Sequence, residues 1–399
     1  MTGQAAAGGA ARRPRGRRGQ ILAVAAEQFH RSGYHQVAMA EVAAAVGITA
    51  PALYRHYRGK PELLRQAVRS GLDELSAAVA GAGQPHELAG ALAGVAVDQR
   101  ALGTLWQRDA RLLPSAQRAE LRRTLRADVR TAVGLLRAAR PELADEQAEL
   151  LVWSALSVCS SLSYHTFAPP RRRFERLVRD LVLALFSDAC DGHPTTGAAR
   201  PVERAEAGSA GRREELLTAA VRLFHERGFD NVTVDSLGAA VGIAGPSVYR
   251  HFPTKAELLA AALVRCRERL WHEVSAALGA APGPAEALEC GLDAYIDFAR
   301  RHHHYLGAMV SETDRLAAPE RKAALDFRRD FLRVWVGLLQ QVRPAYDSPE
   351  ARIRVHAMFA VVNDAVRNPA YASRPDLGPC LTHLARRVLG LGLEGWRAE

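Results

Sequence analysis

VGITAPALYRHYRGKPELL occupies Val46 to Leu64, and VGIAGPSVYRHFPTKAELL occupies Val241 to Leu259. The two stretches lie 195 positions apart and align without a gap. At that offset about twenty of the 48 residues from Arg18 to Arg65 are identical in the second copy. A constant register over such a length marks a duplicated folding unit, not a chance motif.

Working outward, the first helix of each copy carries one apolar face. It is Ile21, Leu22, Ala25 and Phe29, then Leu216, Leu217, Ala220 and Phe224. Gly33 and Gly228 end these helices, as a left-handed C-terminal position requires. A short helix follows, with Val42 and Val46, then Leu237 and Val241, facing in. Gly47-Ile48 and Gly242-Ile243 make a tight turn into another short helix. Two short helices around a glycine turn are a helix-turn-helix. At about 100° per residue, Ala50, Leu53 and Tyr57 share the inward face of the second short helix. Pro51 and Arg55 point out beside Ala52, and Tyr54 and His56 flank them. The second copy puts Gly245, Val248 and Phe252 inward and Pro246 and Arg250 outward beside Ser247, with Tyr249 and His251 on the flanks. An outward Arg among small neighbours suits a major groove, where it pairs bidentately with guanine. Flanking Tyr and His suit the phosphates of the groove walls. The next helix starts at Lys60-Pro61-Glu62, or at the capping box Thr254-Lys255-Ala256-Glu257. A helix start plus a Lys is a ready phosphate site.

GITAPALYRHYRGKPELL and GIAGPSVYRHFPTKAELL resemble the DNA-binding head of the TetR family of one-component bacterial regulators. The match is specific in residue type and spacing over about fifty residues per copy, whereas the rest matches only in helix count and length. Together the copies resemble the tandem TetR regulators of actinobacteria. That resemblance implies that Tyr54, His56, Lys60, Tyr249, His251 and Lys255 contact DNA backbone or bases. It implies that Thr49, Ala50, Pro51 and Ala52, and Ala244, Gly245, Pro246 and Ser247, read sequence. The family usually has Thr at the start of the first short helix. Thr233 fits, as a cap and phosphate ligand, but the first copy has Ala38 and lacks both.

An arginine arm offers compensation. Arg12, Arg13, Arg15, Arg17 and Arg18 precede the first helix with no acid among them, and such arms enter minor grooves. Residues 12–69 hold 11 basic and 3 acidic side chains, and residues 212–270 hold 9 and 7. The first head is therefore expected to supply more of the salt-dependent affinity.

The 399 residues, 48% of them hydrophobic, suffice for two domains or more. A net charge of +10 and a pI near 9.8 favour a polyanionic partner. Apolar residues recur every three or four positions, and alternating β-branched runs are absent, which predicts an all-α chain. Helices are expected near 19–31, 39–46, 50–57, 61–80, 86–100, 102–110, 115–139, 144–166 and 172–188, and on the same plan from 213–226 to 376–391. The domain reading is a basic arm (1–17), a first head (18–65), a first helical effector and dimerisation domain (66–189), a Pro/Gly-punctuated linker (190–211), a second head (212–260) and a second effector domain (261–399). Five scattered cysteines argue for a reducing compartment. With no secretory signal and no clean apolar run of eighteen residues, a cytoplasmic protein is expected. His302-His303-His304 point in different directions on a helix, so no metal is expected there. No nucleophilic triad, phosphate loop or His-Glu-x-x-His spacing appears, and neither an enzyme nor a cofactor is expected.

In TetR-like proteins the middle helices enclose a small molecule and the last two pair with a second chain. Here helices 144–166 and 172–188 can pair instead with 348–367 and 376–391 of the same chain, giving an internal pseudo-dimer; further dimerisation stays open. Two linked heads would span two unlike half-sites. Pocket candidates are Trp106, Trp153, Cys159, Tyr164 and His165 in the first unit. In the second they are Tyr305, Met309, Phe327, Phe331, Trp335, Phe359 and Asn363, and this unit is favoured as the richer in aromatics. Plain core is an equal reading of each. Arg108, Arg111 and Arg328 are candidates for an acidic head group or for salt bridges. The expectation is a DNA-binding repressor released by a hydrophobic small molecule: an acyl chain, its CoA thioester, a sterol or an aromatic metabolite. The alternative is a sequence-tolerant DNA-coating protein.

Overall fold

The computed structural model describes residues 16–187, 211–371 and 374–391. Arg12, Arg13 and Arg15 of the arm, and nearly all of the 190–211 linker, lie outside the described residues. The first unit is α1 (Arg17–Ser32), α2 (Met39–Val46), α3 (Ala50–His56), α4 (Lys60–Ala80), α5 (Pro85–Asp98), α6 (Ala101–Thr104), α7 (Ser115–Ala139), α8 (Asp145–Ser161) and α9 (Arg171–Phe186). The second is α10 (Arg212–Arg227), α11 (Val234–Ala240), α12 (Gly245–Val248), α13 (Lys255–Gly279), α14 (Pro284–Arg301), α15 (His303–Glu312), α16 (Ala318–Val342), α17 (Ser348–Arg367) and α18 (Leu377–Leu389). The chain is all-α, with no strand among the described residues.

Local chemistry sets the helix ends. The side chain of Thr49 accepts from the Ala52 amide at 3.4 Å, that of Thr233 from Ser236 at 3.1 Å, and that of Thr254 from Glu257 at 3.1 Å. Ala38 has no such oxygen. Only the reverse half of a capping box remains there, the Ala38 amide donating to Glu41 at 2.9 Å. Gly33 (φ 84°, ψ 144°) and Gly228 (φ 78°, ψ 150°) do end their helices, but in an extended positive-φ region and not the left-handed helical one expected. That region is open essentially to glycine alone. Continuous helix was expected over 102–110. Instead α6 widens into a π turn over Leu105–Asp109 and tightens into a 3-10 turn over Ala110–Leu112.

The last two helices of each unit pair across the chain. α8 packs on α17 and α9 on α18, so the expected internal pseudo-dimer is a four-helix bundle within one polypeptide. Its core takes Phe174, Val178, Leu181, Val182 and Leu185 from α9 and Leu381, Leu384, Val388 and Leu389 from α18, all buried. Each such side chain contributes about 1.5–3 kcal/mol through apolar burial. Arg173 adds an ion pair to Asp347 at 2.6 Å across the units.

Candidate nucleic-acid interface and ligand cavity

The third helix of each head presents the predicted face. Leu53 and Tyr57 are buried, while Pro51, Arg55 and His56 are exposed and Tyr54 is 52% exposed. In the second head Gly245, Val248 and Phe252 are buried, Pro246 and Arg250 are exposed, Tyr249 is 53% exposed, and Ser247 and His251 are half-buried. Thr49, Thr233 and Ala244 are exposed at helix starts, and Ala50 and Ala52 are half-buried. Two large aromatics thus stand in solvent at equivalent positions of the two heads. The heads also differ. A Cβ on Gly245 would overlap the Asp235 carboxylate, so α12 sits tightly on α11. The first head has Ala40 and Ala50 at these places.

Four basic residues assigned to DNA serve the heads themselves. Lys60 Nζ donates to the carbonyls of Tyr34 (2.8 Å), His35 (3.4 Å) and Val37 (2.9 Å), and lies 4.5 Å from the Tyr34 ring centroid. Lys255 repeats this on Phe229 (2.8 Å) and Val232 (2.9 Å), over the Phe229 ring. An ammonium has three donors, and Lys60 directs all three at carbonyls of its own head. Burial lowers the pKa of both lysines. Arg17 donates to Gly47 O at 3.2 Å and Arg212 to Val241 O at 2.7 Å, each tying the first helix to the helix-turn-helix turn. Arg18 lies over Tyr57 and Arg213 over Phe252. Sequence reasoning placed Arg17 and Arg18 in an arm for the minor groove. Their repetition as Arg212 and Arg213 was the signal of a structural role.

A cavity of about 890 Å³ lies in the first unit, between α4, α5, α7 and α8. Leu72, Leu92, Leu125 and Val129 make its apolar walls, and Trp106, Trp153 and Cys159 also line it. Tyr164 and His165 do not line it. The Tyr164 carbonyl accepts from Arg328 at 2.9 Å, and the His165 ring stacks on Phe167 at 3.8 Å. The second unit forms one wall through Val361, Asp364 and Arg367, and Arg367 donates to Gln107 at 3.1 Å.

In the second unit, which was favoured for the ligand, the aromatics pack against one another. Phe331, Trp335 and Phe359 close on Tyr295, with Tyr295 and Phe359 centroids 4.6 Å apart, and Phe327 stacks on Phe331 at 5.7 Å. Asn363 accepts from the Tyr295 hydroxyl at 2.7 Å, Met309 sulfur sits 3.3 Å from Cys266, and Tyr305 is buried. α7 and α16 are both 25 residues long, so Ala132 corresponds to Trp335, and on the next helices Leu156 corresponds to Phe359. At these two places the second unit carries more side-chain bulk than the first. Arg108 and Arg111 are held in ion pairs away from the cavity. Sequence reasoning missed Arg122, Arg126 and Arg130, which line the cavity from successive turns of α7 and are exposed. Their four-residue spacing beside Leu121, Leu125 and Val129 was the available signal.

Among the described residues no helix is long and apolar enough to cross a membrane, and no group of three His, Cys, Asp or Glu is gathered as metal ligands would be. The family model for bacterial regulatory proteins of the tetR family matches twice, at residues 21–67 and 216–262. The HTH-type transcriptional repressor KstR2 of Rhodococcus jostii is 26% identical over 190 residues, 47% of this chain and 92% of that protein. The HTH-type transcriptional activator FasR of Mycolicibacterium smegmatis is 28% identical over 164 residues, 41% of this chain and 74% of that one. The solved ketosteroid transcriptional regulator KstR2 of Mycobacterium tuberculosis aligns with a TM-score of 0.41 at 24% identity, over 45% of this chain and 94% of its own. With two matched heads, each built as a helix-turn-helix, on one helical bundle, the chain belongs to the TetR family of transcriptional regulators and carries two family units in tandem.

Proposed function

We propose that this regulator is a repressor that reads one operator with both heads of a single chain and is released by one hydrophobic effector bound in the first unit. The carrying observation is the pairing of α8 and α9 with α17 and α18, which points two unlike helix-turn-helix heads from one bundle. Arg55 and Arg250 read bases, and Tyr54, His56, Tyr249 and His251 meet the phosphates. Ala52 opposite Ser247 makes the half-sites unequal. The effector has an apolar body, which the leucines, valines and tryptophans of the cavity support, and an acidic group within reach of Arg122, Arg126 or Arg130. It releases DNA by favouring a head spacing that no longer fits the operator.

The test is sequencing of genomic fragments retained by the purified chain at near-physiological salt. One asymmetric site with two unlike half-sites about a helical turn apart supports the proposal. A palindrome or a doubled site means that chains pair through another surface. No enrichment over background promotes the DNA-coating reading.

A further inference from the structure

The two heads are tied together at their bases by ionic contacts between the units. Arg111, in the 3-10 turn of the first unit, places Nη1 2.5 Å from Glu312 Oε1, and its Nη2 donates to Ser311 O at 2.7 Å. Glu312 is fully buried. Arg108 pairs with Asp109 at 2.8 Å within its unit and with Asp314 at 2.9 Å across it. The same guanidinium donates to Phe29 O, in the last turn of α1, at 2.7 Å. Asp314 in turn lies against Gly33, where a Cβ would stand 2.8 Å from its carboxylate. Arg315 closes the set. It pairs with Asp230 of the second head and lies 2.8 Å from the His35 ring of the first. The α1–α2 connection of one head and the α10–α11 connection of the other therefore meet at one ionic cluster.

The cluster is also handed. Counting back from Leu113 and Leu316, which end the same turn in each unit, Arg111 corresponds to Asp314 and Asp109 to Glu312. Pairing the first unit with a copy of itself would set Arg108 against Arg111. Pairing the second with its copy would set Asp314 against Glu312. A self-pair of the first unit would keep one attraction, Arg111 to Asp109, and the mixed pair alone sets an acid against both arginines.

We propose that this cluster determines operator spacing: Arg108, Arg111, Arg315, Glu312 and Asp314, with His35 and Asp230, are positioning residues that hold the heads at one separation. This rests on both heads binding one operator, and it adds the residues that set the distance. One base pair of extra spacing moves a half-site by about 3.4 Å and turns it by roughly a tenth of a helical turn. A rigid joint between the heads rejects that change, and a broken one tolerates it. None of the seven residues lies on the outward face of a recognition helix, so base choice and spacing choice are separable.

The experiment is selection of full-length chain on a library of random 40-base-pair duplexes, with half-site motif and spacing read from the same sequences. Wild type should return one dominant spacing. Arg111→Glu and Glu312→Arg should each cut the preference for that spacing roughly tenfold, within the range of ordinary coupling between sites, with half-site motifs unchanged. The double variant R111E/E312R should restore it. Arg315→Ala, at a partly exposed position, gives a second reading should the buried variants fail to fold. Folded variants that keep the wild-type spacing would overturn the inference. A wild type that returns only single half-sites would instead overturn the two-head reading beneath it.

Discussion

Lys60 and Lys255 occupy the same place in the two heads and do the same work there. Each ties the start of a long helix to the carbonyls of the turn before the helix-turn-helix. Lys60→Met should lower the thermal stability of the chain, since hydrogen bonds to a charged group are worth about 1.5–3 kcal/mol. Calorimetry measures the loss. The salt slope of DNA binding at low temperature should stay as it is, and a flatter slope would return Lys60 to the phosphates. Arg55 and Arg250 behave differently because neither side chain has a partner among the described residues of its head. Arg55→Ala should relax base preference in one half-site only, and Arg250→Ala in the other, each by about 1–3 kcal/mol at one position. Binding arrays with single-base changes in each half-site would show it. Uniform weakening across all sequences would count against base reading. The outward positions of these residues followed from helical periodicity alone. The inward turn of the two lysines did not, because carbonyl acceptors from another segment are invisible in a local pattern.

At the scale of elements, α7 and the π turn decide what the first unit can hold. A π turn adds a residue to the helix and is often found at functional sites. Here it places Trp106 and Gln107 on the cavity while Arg108 and Asp109, the next two residues, enter the inter-unit cluster. Val129→Trp puts bulk into the wall of the first unit's cavity. It should abolish binding of an apolar anionic dye such as anilinonaphthalene sulfonate, read by fluorescence titration, and leave operator binding intact. Retained dye affinity would place the ligand elsewhere. Long helices with apolar faces were legible, and their ends fall within a few residues of those expected from periodicity. Which unit keeps a cavity was not. The count of aromatics favoured the second unit, but those rings pack on one another.

For the whole molecule, the handed interface and the internal bundle predict a chain that needs no partner. Light scattering in solution should give the mass of one chain, 43.3 kDa. A value twice that would require a further interface. Burial also holds several histidines neutral. The pKa of His165 is pushed down to about 3 by burial and then by Arg100, and those of His225, His302 and His304 to about 4, mainly by burial. The unfolded value is near 6.5. Between about 4 and 6.5 the unfolded chain therefore binds more protons than the folded one, so stability falls as pH drops through that window. Denaturant melts at pH 7 and pH 5 should show the lower midpoint at pH 5. Equal midpoints would mean that these rings are solvated.

The duplication, the two helix-turn-helix heads and their outward faces were determined by sequence alone. They are carried by near neighbours: apolar spacing, capping residues and glycine turns act within a few positions, and a repeat at fixed offset reports them twice. The pairing of α8 and α9 with α17 and α18 was foreseen as an arrangement the helix count allows. The location of the cavity, the internal roles of Lys60 and Arg17, and the cluster joining Arg108 and Arg111 to Asp314 and Glu312 were decided only by the tertiary structure. Each depends on side chains that meet across tens to hundreds of residues. Residual volume and charge pairing at that range belong to the packed molecule and to no single stretch of chain.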